Sequence, residues 1–78
     1  MKIEVLGTGC PKCMSTEQNV KKALSELALQ ADVEKVTDIQ QIIRRGVLST
    51  PALVIDGRLV MQGRIPTVQQ LKELIKAV

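Results

Sequence analysis

Phenylalanine, tyrosine, tryptophan and histidine are all absent from this chain of 78 residues. Without aromatic faces there is no platform on which nucleic-acid bases could stack, so no nucleic-acid partner is expected. Without histidine the chain lacks the usual general base, the commonest metal ligand and any Cys–His nucleophile pair. Long hydrophobic runs are missing too. No stretch approaches the roughly 20 apolar residues of a membrane span, and the apolar start Met1–Gly7 is short and interrupted by Glu4, unlike a signal-peptide core. The reading is a cytoplasmic protein with no membrane partner, in a compartment that keeps thiols reduced. Charge is not concentrated either: 11 basic and 8 acidic residues give a net +3, scattered along the chain as on an ordinary solvated surface. Lys21-Lys22 and Arg44-Arg45 are read as parts of that surface.

What remains is enough for one core. Apolar residues make up 45% of the sequence, so Val, Ile, Leu, Ala and Met must fill the interior. The length suits one domain over residues 1–78, expected to act as a monomer. Along the chain, Ile3–Leu6 reads as a strand stopped by Gly7 and Gly9. From Pro11 to Ala28 the pattern is helical, with Val20, Ala23, Leu24, Leu27 and Ala28 on one stripe. Asp32–Val36 is a second strand. Asp38 and Gln41 resemble a capping box, Ile39, Ile42 and Ile43 form a short apolar stripe, and Gly46 is a helix stop. Ala52–Ile55 is a continuous apolar run, as in a strand buried on both faces. Asp56-Gly57 signals a hairpin turn into Leu59–Gln62. Thr67 with Gln70 caps a last helix, whose stripe is Val68, Leu71, Leu74, Ile75 and Val78. The order β-α-β-α-β-β-α predicts an α/β fold: a parallel pair, then an antiparallel hairpin, in one mixed four-stranded sheet with helices on both faces.

The chemistry is concentrated in Gly9-Cys10-Pro11-Lys12-Cys13, where the first strand turns into the first helix. Free backbone N–H groups and the helix dipole favour negative charge at a helix start, so a cysteine there has its nucleophilic thiolate stabilised. Lys12 adds positive charge in the same sense. Pro11 suits the first helical position, which needs no N–H. A step of three residues brings both sulfurs to the same helical end, with Cys10 as the exposed attacking thiol and Cys13 as the more buried resolving thiol. A C-x-x-C beside a βαβ pattern is a redox signature. Two cysteines exclude a four-cysteine zinc site within the chain, and no metal or other cofactor is expected.

The sequence resembles the thioredoxin-like superfamily, most closely its very small redox-active disulfide members. The resemblance rests on Cys10-Pro11-Lys12-Cys13 after the first strand, Thr50-Pro51 before the third and Gly63 after the fourth, and it covers essentially the whole chain. It implies a protein disulfide oxidoreductase that reduces or exchanges disulfides in client proteins and is served by a reductase. It also implies that Pro51 is cis and lies against the disulfide, and that Thr50 offers its backbone to the client. Gly9 stands where larger thioredoxins carry a tryptophan, and Pro-Lys replaces Gly-Pro between the cysteines. These departures leave the reductase and the potential open. Glu4 lies six residues before Cys10, where larger thioredoxins bury an acid. Because burying a carboxylate is costly, Glu4 is read as exposed on its strand. Arg64 is read as a loop residue, and Met14 and Met61 as core or rim packing. Two alternatives stand beside this reading. One is a soft-metal or metalloid module using the same two thiolates, although such domains normally end in a strand and carry a methionine where this chain has Thr8. The other is an interaction module whose thiols are incidental.

Overall fold

In a computed structural model, which describes residues 1–9 and 11–77, seven elements follow the expected order. They are β1 (Lys2–Leu6), α1 (Pro11–Glu26), β2 (Asp32–Val36), α2 (Ile39–Arg44), β3 (Ala52–Ile55), β4 (Arg58–Gln62) and α3 (Val68–Lys76). Cys10 and Val78, both singled out in the sequence, lie outside the described residues. The four strands form one sheet in the order β2-β1-β3-β4. β1 pairs parallel with β2, Lys2 opposite Asp32 and Leu6 opposite Val36. β1 pairs antiparallel with β3, and β3 with β4.

β3 is buried along its whole length, because its side chains alternate between two separate cores. Ile3, Val5, Leu53 and Ile55 point to one face, where Val20, Ala23 and Leu24 of α1 and Leu71 and Ile75 of α3 close over them. Leu6, Ala52 and Val54 point to the other, where they meet Val36, Ile42 and Val47. The helices therefore cover both faces, α1 and α3 on one and α2 on the other.

The turns are where local chemistry shows most directly. Asp56 and Gly57 both take positive φ, 50° and 83°, the pair of left-handed residues that a tight hairpin needs. Thr67 and Gln70 form a complete capping box: the Thr67 hydroxyl accepts the Gln70 N–H, and the Gln70 amide oxygen accepts the Thr67 N–H. Gly46, at φ 78°, ends α2. Its N–H reaches Ile43 O at 3.0 Å and the Val47 N–H reaches Ile42 O at 3.4 Å, the paired bonds of a Schellman closure.

Three local expectations are corrected. α1 stops at Glu26 rather than Ala28. Ala28 adopts φ 54°, and the bonds Ala28 N–H to Ser25 O and Leu29 N–H to Leu24 O close the helix as Gly46 closes α2, with an alanine in the left-handed position. Asp38 caps α2 through the Gln40 N–H at 2.9 Å rather than through a box with Gln41. Of the three isoleucines on α2 only Ile42 is buried, while Ile39 and Ile43 are exposed. A helix of six residues presents little more than one side chain to the sheet beneath it.

Candidate functional site

The site is assembled where the C-terminal end of β1 meets the first turn of α1. The chain leaves β1 at Leu6, and Gly7 extends the parallel pairing by one more bond, N–H to Val36 O at 2.9 Å. Cys13 is the third residue of α1 and is buried, 6% exposed. It lies against the bare α-carbon of Gly7. A side chain at position 7 would run into the Cys13 sulfur, would sit 3.1 Å from the Cys13 Cβ and would lie 3.9 Å from the Thr50 Cβ. Cys13 and Thr50 thus both border the space where a side chain on Gly7 would begin.

Thr50 is exposed and Pro51 buried, and the peptide bond between them is cis. The Pro51 carbonyl accepts the Gly63 N–H at 3.0 Å. Gly63 has φ 84°, and a Cβ there would press to 3.3 Å from the Cβ of Ser49, so both its backbone and its surroundings call for glycine. The Leu48 N–H donates to Gln62 Oε1 at 2.9 Å, and Asn19 Nδ2 donates to Pro66 O at 2.8 Å. These bonds tie the loop before β3 to the end of β4 and the loop that follows it, and that loop to α1. Pro11 and Lys12 are exposed. The Lys12 carbonyl accepts the hydroxyl of buried Thr16 at 2.9 Å, which reinforces the first turn from inside. A cleft of about 60 Å³ opens beside Cys13, bordered by Gly7, Gly9, Met14, Lys35 and Thr37. The larger hollow, about 620 Å³, is an open groove bordered by Met1, Leu29 and Val33 and contains none of the candidate residues.

The predicted residues therefore divide. Cys13, Thr50, Pro51 and Gly63 belong to one connected set, with Gly63 joined through Pro51 and Ser49 rather than through the cysteine. Lys12 stands at the surface beside it, and Cys10 lies outside the described residues. Gly7 and Ser49 are additions. Gly7 looked like a strand stop in the sequence, and nothing local distinguishes a glycine that ends a strand from one that makes room for a sulfur.

Glu4 is a correction. It is buried, not exposed, and its carboxylate takes a two-pronged grip from Arg45, Nη1 to Oε1 at 2.8 Å and Nη2 to Oε2 at 2.6 Å. Arg45 is accordingly not part of a free solvated face. Parallel charge-assisted bonds of this kind offset the desolvation that argued against burial. The hydrogen bonds from Arg45 hold the Glu4 carboxyl below its usual range, against the opposing effect of burial. Glu4 is thereby a committed acceptor in its ionised form.

Among the described residues no group of three or more His, Cys, Asp or Glu is placed to hold a metal ion, and no helix is long and apolar enough to cross a membrane. A family profile described as "Thioredoxin domain" matches residues 1–76. A protein of Methanocaldococcus jannaschii named "Thioredoxin" is 45% identical over 75 residues, covering 96% of this chain and 86% of that protein. One of Methanothermobacter thermautotrophicus, also named "Thioredoxin", is 36% identical over 75 residues, covering 96% of this chain and 97% of that protein. These similarities give the soft-metal alternative no support. With the β-α-β-α-β-β-α fold and Cys13 seated at the start of α1, they establish that the chain belongs to the thioredoxin family of disulfide oxidoreductases.

Proposed function

We propose that Cys10 and Cys13 are a redox-active pair that reduces or exchanges disulfides in client proteins. The observation that carries this reading is the seat of Cys13: buried in the first turn of a 16-residue helix, against Gly7 and beside Thr50. Cys10, three residues earlier, takes the attacking role. Its thiolate displaces one sulfur of the client disulfide and forms a mixed disulfide. Cys13, as thiolate, then attacks the Cys10 sulfur, closes the Cys10–Cys13 bond and releases the second client thiolate, which takes up a proton. Two electrons pass from the protein to the client. The helix start and Lys12 favour the Cys10 thiolate, and Pro11 begins the helix without an N–H to satisfy. Thr50 offers backbone to an extended client segment, with Pro51 and Gly63 holding that loop in place. On this reading the chain acts as one domain over residues 1–78, as a monomer in the cytoplasm, and a reductase returns it to the dithiol form.

The test is a thiol assay joined to mass spectrometry. Mild oxidation should remove two hydrogens and give a Cys10–Cys13 cross-linked peptide, reversibly with dithiothreitol. Single-cysteine variants alkylated across a pH series should show Cys10 reacting faster than Cys13 near neutrality. Two thiols that persist under oxidant would defeat the proposal.

A further inference from the structure

We infer that Gly7 is a positioning residue for the exchange reaction: its missing side chain is the seat of the Cys13 sulfur, and that seat sets how fast Cys13 resolves a mixed disulfide. The inference rests on the pairing of Cys10 and Cys13 proposed above.

The chain has five glycines. Four of them, Gly9, Gly46, Gly57 and Gly63, have positive φ, the conformation for which glycine is the default. Gly7 is not among them, so its backbone conformation does not call for glycine. Space does. Gly7 is buried, and a Cβ there would overlap the Cys13 sulfur. The backbone cannot easily retreat, because the Gly7 N–H is bonded to Val36 O at 2.9 Å. The Thr50 Cβ stands 3.9 Å from the same point. A methyl group at position 7 must therefore push the sulfur off its seat or shift the first turn of α1.

The chemical consequence falls on one step. Cys10 governs the first attack, which forms the mixed disulfide and expels one client thiolate. The second attack, of the Cys13 thiolate on the Cys10 sulfur, needs the two sulfurs aligned with the bond that breaks. A displaced Cys13 sulfur loses that alignment, and a misplacement of about an ångström can slow a reaction on the order of 100-fold.

The experiment has two arms. In the first, reduced protein is mixed with equimolar DTNB in a stopped-flow instrument. Wild type should release two equivalents of TNB, the second closely following the first. Gly7→Ala should keep the rate of the first release and slow the second on the order of 10–100-fold, with the TNB adduct on Cys10 trapped by acid and seen by mass spectrometry. In the second arm, denaturant midpoints are measured on reduced wild type, Gly7→Ala, Cys13→Ala and the double variant. Gly7→Ala should lower the midpoint strongly in wild type and much less in the Cys13→Ala background, where no sulfur occupies the seat. If Gly7→Ala alone does not fold, the double variant should. Equal effects in the two backgrounds, or a double variant that does not fold, would overturn the packing claim. Coupled stabilities with a normal second release would overturn the positioning role. A wild type that releases a single equivalent would instead defeat the exchange reading, and the kinetic role with it, while the stability cycle still decides whether Gly7 seats the sulfur.

Discussion

On one face of the sheet, α1 and α3 close an all-apolar cluster over Ile3, Val5, Leu53 and Ile55. On the other, α2 contributes one buried side chain, Ile42, and a carboxylate gripped by an arginine takes a place beside the smaller cluster. The helices differ in the same sense: α1 and α3 run 16 and 9 residues, α2 only 6. The α1/α3 face has the longer helices and the larger apolar core, and burial in proportion to apolar area is expected to give it the larger share of the stability. The α2 face is thinner, and the loop it sends to Thr50 and Pro51 brings the Thr50 Cβ to 3.9 Å from where a side chain on Gly7 would begin, the same place the Cys13 sulfur fills. Sub-global opening is expected to begin where buried apolar contacts are fewest, so the loop carrying Thr50 and Pro51 belongs to the half of the molecule expected to open first.

The largest test of this contrast is a pair of truncations. Leu71→Ala on the α1/α3 face removes a fully buried side chain from a closed cluster. It should cost about 3–5 kcal/mol, enough to unfold much of a domain this small. Ile42→Ala removes the one buried residue of α2, where a short helix at the surface can settle inward. It should cost about 2–3 kcal/mol, at the low end for such a change. Urea denaturation of both variants decides. Equal losses would mean that the two faces are equally rigid.

Next in size is the ion pair. Arg45→Ala leaves the Glu4 carboxylate buried without its partner. The loss should be about 1–3 kcal/mol at neutral pH, held down because the Arg45 side chain is itself about one-third exposed. Its pH dependence has a defined sign. In wild type the folded-state pKa of Glu4 is depressed, chiefly by the Arg45 hydrogen bonds. The pair's contribution is therefore complete above the ordinary glutamate value of about 4.3 and is lost as pH falls through the lower folded value. In Arg45→Ala, burial without the cation acts the other way, so protonation relieves the strain. Urea midpoints near neutrality and near pH 3 should show the penalty of Arg45→Ala shrinking in acid. A penalty independent of pH would mean that Arg45 acts through packing alone.

The same comparison explains what could be read from the sequence. The β3 run, the Asp56-Gly57 turn, the Thr67–Gln70 box, the α1 stripe from Val20 to Leu27 and the α3 stripe from Val68 to Ile75 are local patterns, each contained within about a dozen residues, and each appears in the fold. The Glu4–Arg45 pair joins positions 41 apart. The cost of burying a carboxylate is visible in a sequence, but the partner that offsets it is not. The site divides in the same way. Cys13 at a helix start is a local pattern. The approach of Cys13 and Thr50 to the bare face of Gly7 exists only once β1, α1 and the loop before β3 have come together. The early stop of α1 was illegible for a different reason: an alanine occupies a position that usually announces itself as glycine.

The smallest expected effect concerns those two helix ends, one on each face. Gly46 closes α2 and Ala28 closes α1, both with left-handed backbone, φ 78° and 54°. An L-residue in that region costs roughly 1–2 kcal/mol, and glycine avoids the cost while adding freedom to the unfolded chain, worth about 0.5–1 kcal/mol. The Ala28 methyl is exposed, so removing it sacrifices little burial. Ala28→Gly should therefore raise stability by about 0.5 kcal/mol, and Gly46→Ala, where a Cβ would meet open space, should lower it by a similar or slightly larger amount. Because neither substitution touches a core, both should shift the urea midpoint and leave the slope of the transition unchanged. If Ala28→Gly destabilises, the last turn of α1 does not close through a left-handed residue. The α1/α3 face would then have one fewer point at which this sequence falls short of its best local choice.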